Sequence, residues 1–141
     1  AAFLKRNGVD VARVKGMFSD KLEDVKIKAE ALRTAESLGH GFVLAVCPTA
    51  TETPTVAAAQ VANELLEVQG VTGSFVLLDY NEKIFISARS KGDVNVQLIM
   101  ERMGGGGHLN TAGAQMYQST IEDTKKKLIL TINKMIEEGL I

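Results

Sequence analysis

The sequence predicts an α/β domain in which helices pack on a mixed sheet of about four or five strands. Three observations carry this. Long segments repeat their apolar residues at helical spacing, short apolar runs have strand character, and the two kinds are interspersed along the chain. The 141 residues suit one domain, so 1–141 is read as a single unit. Hydrophobic residues make up 45% and charged residues 23%, a globular balance.

Asn7-Gly8 marks a break, and a short helix is expected over roughly Asp10 to Phe18. Asp20 with Glu23 reads as a capping box opening the next helix. Leu22, Val25, Ala29, Leu32 and Leu38 keep helical spacing there, and Gly39 ends it. Phe42 to Cys47 is a short apolar strand. Pro48 and Pro54 bracket a loop. Thr55 to Gln69 is a second long helix, closed by Gly70. Ser74–Tyr80 and Lys83–Arg89 flank the tight turn Asn81-Glu82 and should form a hairpin. Asp93 is placed to cap a helix running to about Met103. Ala112 to Tyr117 reads as extended. Ser119 with Glu122 is another capping box, opening a helix with Leu128, Ile132, Met135 and Ile136 on one face and Gly139 as its stop.

The net charge of −1 argues against a broad basic surface for long nucleic acid, but leaves room for a local anion site. No apolar run approaches the ~18 residues of a membrane span, so no direct membrane contact is expected. The single cysteine, Cys47, lies in the apolar run FVLAVC and reads as a buried, reduced thiol, which suits a cytoplasmic domain. The chain begins Ala-Ala without an initiator Met, which reads as a piece of a longer protein.

Chemistry concentrates in two places. In the strand KIFISAR, the period of two puts Ile84, Ile86 and Ala88 on one face and Phe85, Ser87 and Arg89 on the other. The second set ends in a hydroxyl and a guanidinium, and the planar fork of arginine suits phosphate oxygens. The stretch GGGGHLNTAGAQ (Gly104–Gln115) is the other place. Gly104, Gly105, Gly106 and Gly107 can bring backbone N–H groups close to an anion, and His108 adds an imidazole donor. The spacing matches neither the dinucleotide fingerprint nor the P-loop. Weaker candidates read as solvated surface: His40 between two glycines, and Lys125, Lys126 and Lys127 beside Glu122 and Asp123. Asp79, Glu82 and Asp93 share no ligand spacing, and no metal site is assembled by this sequence alone.

Four phrases carry a family resemblance: FLKRNGVD (Phe3–Asp10), ISARS (Ile86–Ser90), VNVQLIME (Val94–Glu101) and GGGGHL (Gly104–Leu109). Together they resemble the DHH-associated domain, the C-terminal half of the DHH phosphoesterases, in the form found in GdpP-type cyclic di-AMP phosphodiesterases. The oligoribonuclease branch usually reads GGGGH-x-x-A-A-G. Here Thr111 stands at the first of those alanines, and Gln115 follows, which is closer to the cyclic di-AMP branch.

The resemblance implies a substrate-binding half-enzyme. It assigns phosphate contacts to Arg89, supported by Ser87, to the backbone of Gly104–Gly107, and to His108. It implies no catalytic or metal-binding residue in this chain, and two manganese ions in an N-terminal DHH half. Ala1–Asp20 would then be the linker and helix that join the halves. Phe85 and Tyr117 are the aromatics placed to stack on a base. The expected ligand is a cyclic dinucleotide hydrolysed to the linear form, or a short oligonucleotide. The expected parent is membrane-anchored through distant segments. The alternatives are an oligoribonuclease-type domain, a single-stranded nucleic-acid module, and a homodimerising domain using the last helix.

Overall fold

The computed structural model describes residues 22–141. The expected helix Asp10–Phe18 and the start of the Asp20 capping box lie outside these residues. The described part is a six-stranded mixed sheet with helices on both faces.

A helix over residues 22–33 (α1) leads to strands β1 (Glu36–Gly39) and β2 (Phe42–Val46). Helix α2 (Pro54–Leu65) connects β2 to the parallel strand β3 (Gly73–Tyr80). Strand β4 (Lys83–Ser90) returns antiparallel to β3. Helix α3 (Val96–Arg102), β5 (Gly106–Gly107), β6 (Thr111–Tyr117) and α4 (Ile121–Glu137) complete the chain. The strand order is β1-β2-β3-β4-β6-β5.

The sheet divides the core in two. Phe42, Leu44, Phe75, Leu77, Ile84 and Ile86 face α3 and α4, where they meet Ile99, Met100, Leu128, Ile132 and Met135. Ala45, Cys47, Val76 and Leu78 face α1 and α2, where small residues (Ala57, Ala58, Val61, Ala62) let the helix lie close to the strands. Ser74 ties α2 down by donating its buried hydroxyl to the Ala62 carbonyl at 2.7 Å. Cys47 is 3% exposed, and burial pushes its thiol up. We therefore expect a thiol-specific reagent to label Cys47 only on unfolding; prompt labelling of the native chain at about pH 8 would contradict the packing.

The β3–β4 hairpin forms as expected. Asn81 and Glu82 both have positive φ (59° and 63°), the type I′ turn that matches strand twist. Elsewhere the structure departs from the sequence pattern. The helix expected to run to Leu38 ends at residue 33. Thr34 Oγ1 donates to the Ala31 carbonyl (2.6 Å) and accepts from Val46 N (2.8 Å), which stops the helix and anchors it to β2. Residues 36–39 then become an edge strand, and Leu38 packs against the sheet core. With the two-residue β5, this brings the sheet to six strands. Helix α2 ends at Leu65, short of Gln69. The cap of α3 is Asn95 rather than Asp93, accepting from Leu98 N at 3.2 Å. The cap of α4 is Thr120 rather than Ser119, accepting from Asp123 N at 3.0 Å.

Candidate nucleotide-binding face

Helix α2 packs on β3 and β4. Beyond it, no described helix covers the same face of β6 and β5. The burial of β6 records this: Ala112 and Ala114 are buried beneath α3 and α4, whereas Thr111, Gln115 and Tyr117 are exposed on the opposite side. Among the described residues, half of one sheet face is therefore open, and the residues singled out in the sequence line it.

On β4 the alternation is complete. Ile84, Ile86 and Ala88 are buried in the core, and Phe85, Ser87 and Arg89 are half-buried on the open side. Arg89 stands opposite Ser74 on β3 and Thr111 on β6. His108 exchanges two backbone hydrogen bonds with Thr111: His108 N donates to Thr111 O (2.7 Å) and Thr111 N to His108 O (3.3 Å). Arg89, Thr111 and His108 thus form a row across three adjacent segments of the sheet. At about 4.8 Å per strand, Arg89 and His108 stand roughly 10 Å apart at the backbone, on the same face.

Arg89 carries a charge with no ion-pair partner among the described residues. Its Nη1 donates to the Ala88 carbonyl (2.8 Å), but none of the ion pairs among the described residues includes it. Burial without a counter-charge holds its guanidinium below the usual arginine value. A partly desolvated cation without a partner is a site prepared for an anion. The hydroxyl of Ser87, opposite Gly113, has no hydrogen-bond partner among the described residues.

The four glycines do different things. Gly104 (φ 87°) and Gly105 close α3 in a Schellman motif: Gly104 N donates to Glu101 O (3.1 Å) and Gly105 N to Met100 O (2.8 Å). A Cβ on Gly105 would collide with the Gly113 carbonyl and stand 2.7 Å from the Ala114 Cα. A Cβ on Gly107 would stand 2.5 Å from the Ala112 Cα. Gly106 alone meets nothing within 4 Å and has no positive φ. The N–H groups of Gly104, Gly105 and His108 are already bonded within the chain. Gly106 opposes Gly113 and Gly107 opposes Ala112, so ladder alternation turns the Gly107 N–H away from β6, toward the outer edge. The backbone donors open to a ligand narrow to that edge.

One positioning residue escaped the sequence reading. Asn110 Nδ2 donates to Ser90 Oγ (2.9 Å) and to the Gly92 carbonyl (3.1 Å), while Ser90 N donates to Asn110 O (3.0 Å). This clamps the His108–Thr111 turn to the end of β4, beside Arg89. The available signal was an asparagine inside a three-residue connection, a residue type that bonds to neighbouring backbone in turns.

Farther along the open face lies a cleft of about 370 Å³, lined by Phe85, Gly104, Gly105, Gly113, Gln115 and Tyr117. Arg89 and His108 lie beyond its end. Among the described residues, no three His, Cys, Asp or Glu side chains cluster to hold a metal ion. The described residues do not fit a two-metal centre.

An open half-face carrying this arginine, this histidine and this glycine run meets a family match over residues 39–138. The chain belongs to the DHHA1 domain family. A cyclic-di-AMP phosphodiesterase, PdeA, from Listeria monocytogenes is 36% identical over 134 residues, covering 94% of this chain and 20% of that protein. The cyclic-di-AMP phosphodiesterase GdpP of Geobacillus thermodenitrificans is 36% identical over 140 residues, covering 99% of this chain and 21% of that protein. This DHHA1 domain thus spans about a fifth of the length of these relatives. Among solved structures, an exopolyphosphatase-related protein from Bacteroides fragilis superposes with a TM-score of 0.67 at 21% identity, covering 79% of this chain and 34% of that one. That likeness shows the shared fold. No described helix of the domain is long and apolar enough to cross a membrane.

Proposed function

We propose that this DHHA1 domain is the substrate-binding part of a phosphodiesterase that opens cyclic di-AMP to the linear dinucleotide pApA. The observation that carries the proposal is the row Arg89–Thr111–His108 on a sheet face that no described helix covers, with the Arg89 guanidinium lacking a counter-charge among the described residues. The names of the relatives supply the substrate.

In this reading, Arg89 neutralises one phosphate and fixes its orientation with its fork. Ser87 and His108 donate to remaining phosphate oxygens, and the Gly107 N–H adds a backbone donor at the sheet edge. Gly106 leaves the approach clear. The domain binds and orients the phosphodiester; attack by water belongs to an N-terminal DHH half, for which the family resemblance implies two manganese ions. A cytoplasmic position, with any anchor elsewhere in a longer chain, follows from the same reading.

Two experiments test it. Cyclic di-AMP is titrated into the chain and followed by calorimetry, with oligoadenylates of increasing length alongside. Saturable binding of the dinucleotide supports the proposal, and affinity that climbs steadily with strand length supports a single-stranded nucleic-acid module instead. Hydrolysis is then assayed with manganese, for the chain alone and with a DHH half supplied; turnover by the lone chain defeats the division of labour.

His108→Ala is expected to weaken cyclic di-AMP binding severalfold in the same calorimetric titration, because a donor to a phosphate oxygen is lost. Affinity within about twofold of the parent would remove His108 from the phosphate site.

A further inference from the structure

Four residues along β4 from Arg89, the cleft bounded by Phe85, Gln115 and Tyr117 is built unlike a phosphate site. Four strand residues span about 13 Å. The cleft is lined by two aromatics, a carboxamide, bare glycine backbone and the aliphatic residues Ile86 and Ala114, and no charged side chain lines it.

We infer that this cleft is a base subsite that selects adenine over guanine through the carboxamide of Gln115. The inference rests on the phosphate-binding reading above and extends it to the identity of the base.

The geometry supports a planar occupant. Phe85 stands directly opposite Gln115 across the β4–β6 pair, and Tyr117 lies one same-face position farther along β6. Phe85 and Tyr117 are thus diagonal neighbours, about 7–8 Å apart at the backbone. A flat ring lying over either aromatic would meet it at a van der Waals separation of about 3.5–4.0 Å. Gly113 removes any side chain from the neighbouring same-face position, and Gly104 and Gly105 form a wall with no side-chain bulk. Both rings are held by neighbours. Phe85 packs against Tyr80 with centroids 6.3 Å apart, and Lys83 Nζ lies 5.2 Å from the Tyr117 centroid.

The polar group is also oriented. Tyr117 Oη donates to Gln115 Oε1 at 3.3 Å, which sets which end of the amide faces the hydroxyl. The carbonyl keeps a second lone pair and the amide nitrogen keeps two donors. An adenine edge offers the complementary pair, the N6 amine to donate and N7 to accept. A guanine edge presents two acceptors, N7 and O6, so Gln115 Oε1 would face an oxygen. Gln115 brings the only carboxamide to the cleft among the described residues; the other polar side chain lining it is the Tyr117 phenol, which cannot present a donor and an acceptor side by side as an amide does.

The test uses the chain itself and small probes: 5′-AMP, 5′-GMP and inorganic phosphate, each titrated while backbone and side-chain amide resonances are followed by NMR. We expect AMP to shift the Gln115 side-chain amide and the Gly104, Gly105 and Gly113 backbone signals, and to bind about fivefold or more tightly than GMP. Phosphate alone should shift signals near Arg89 and His108 and leave Gln115 unmoved. Gln115→Leu, at an exposed position that does not threaten the fold, should bring the AMP and GMP affinities within about twofold of each other. Shifts confined to the Arg89–His108 end, or an AMP preference that survives Gln115→Leu, overturn the base subsite and leave the phosphate site standing. An absence of shifts with all three probes overturns both.

Discussion

Arg89→Ala is expected to weaken cyclic di-AMP binding by about 2–3 kcal/mol, roughly 30- to 150-fold, without lowering the melting temperature. The two halves of this expectation come from one fact. The guanidinium is half-buried and has no carboxylate partner among the described residues, so the folded protein bears its desolvation without return until an anion arrives. Removing it discards a charge-assisted, bidentate contact with ligand and also discards the desolvation cost in the free protein. A melting temperature at or above that of the parent, with binding largely lost, is the combination to look for in paired thermal and calorimetric measurements. Arg89→Lys keeps the charge but not the fork and should recover only part of the affinity. If Arg89→Ala binds within about twofold of the parent, the row on the open face is not a phosphate site.

The second large effect separates two adjacent glycines. Gly105→Ala is expected to cost about 3 kcal/mol, on the order of 10 °C in melting temperature, because the new methyl is driven into the Gly113 carbonyl and the Ala114 backbone. Both partners belong to a central part of β6 that is paired to β4 on its other side, so neither can retreat cheaply. Gly106→Ala should behave differently. Its methyl meets nothing within 4 Å, and at a negative φ an alanine reduces the freedom of the unfolded chain. Stability should hold or rise by a few tenths of a kcal/mol. Gly106 opposes Gly113, which in turn opposes Ser87, so the methyl stands on the open face two strands from Ser87 with only a glycine between them, and ligand affinity should fall. Thermal melts of the two variants with cyclic di-AMP titrations check both claims; a destabilised Gly106→Ala would mean that the glycine serves the fold and not the ligand.

Much of this architecture was legible before any coordinates. The hairpin was readable because Asn81-Glu82 sits between two alternating runs, and the faces of β4 followed from a period of two. Helices α2 and α4 were readable from spacing, although their ends moved. Those errors share a cause. Asp93 against Asn95 and Ser119 against Thr120 are choices between residues one or two positions apart that are all able to cap, and the ones that cap, Asn95 and Thr120, have extended backbone geometry. The loss of Leu38 from a helix to an edge strand was not readable. Its apolar side chain fits either period, and the deciding contact is Thr34 with Val46, twelve residues away.

The candidate site divides in the same way. Residue chemistry alone brought forward Arg89, Ser87, His108 and the glycine run, and the family resemblance joined them to a phosphate. Why each glycine is glycine was invisible, because three answers depend on other elements: Gly104 and Gly105 on the end of α3, and Gly105 and Gly107 on the surface of β6. Asn110 as the clamp on the turn was equally hidden, since its partners Ser90 and Gly92 come from the end of β4 and the turn after it.

By itself, the sequence determined the class of fold, the alternation that turns Arg89 away from the core, and the kind of ligand chemistry available, because these follow from local periodicity and side-chain type. Tertiary structure decided which residues stand together. Pairing β6 beside β4 and β5 beyond it brings His108 level with Arg89 and Gln115 level with Phe85, although nineteen or more positions of chain separate the partners. Such register is a property of long-range hydrogen-bonded ladders and of a helix layer that covers only half a sheet, and neither leaves a repeat in the order of residues.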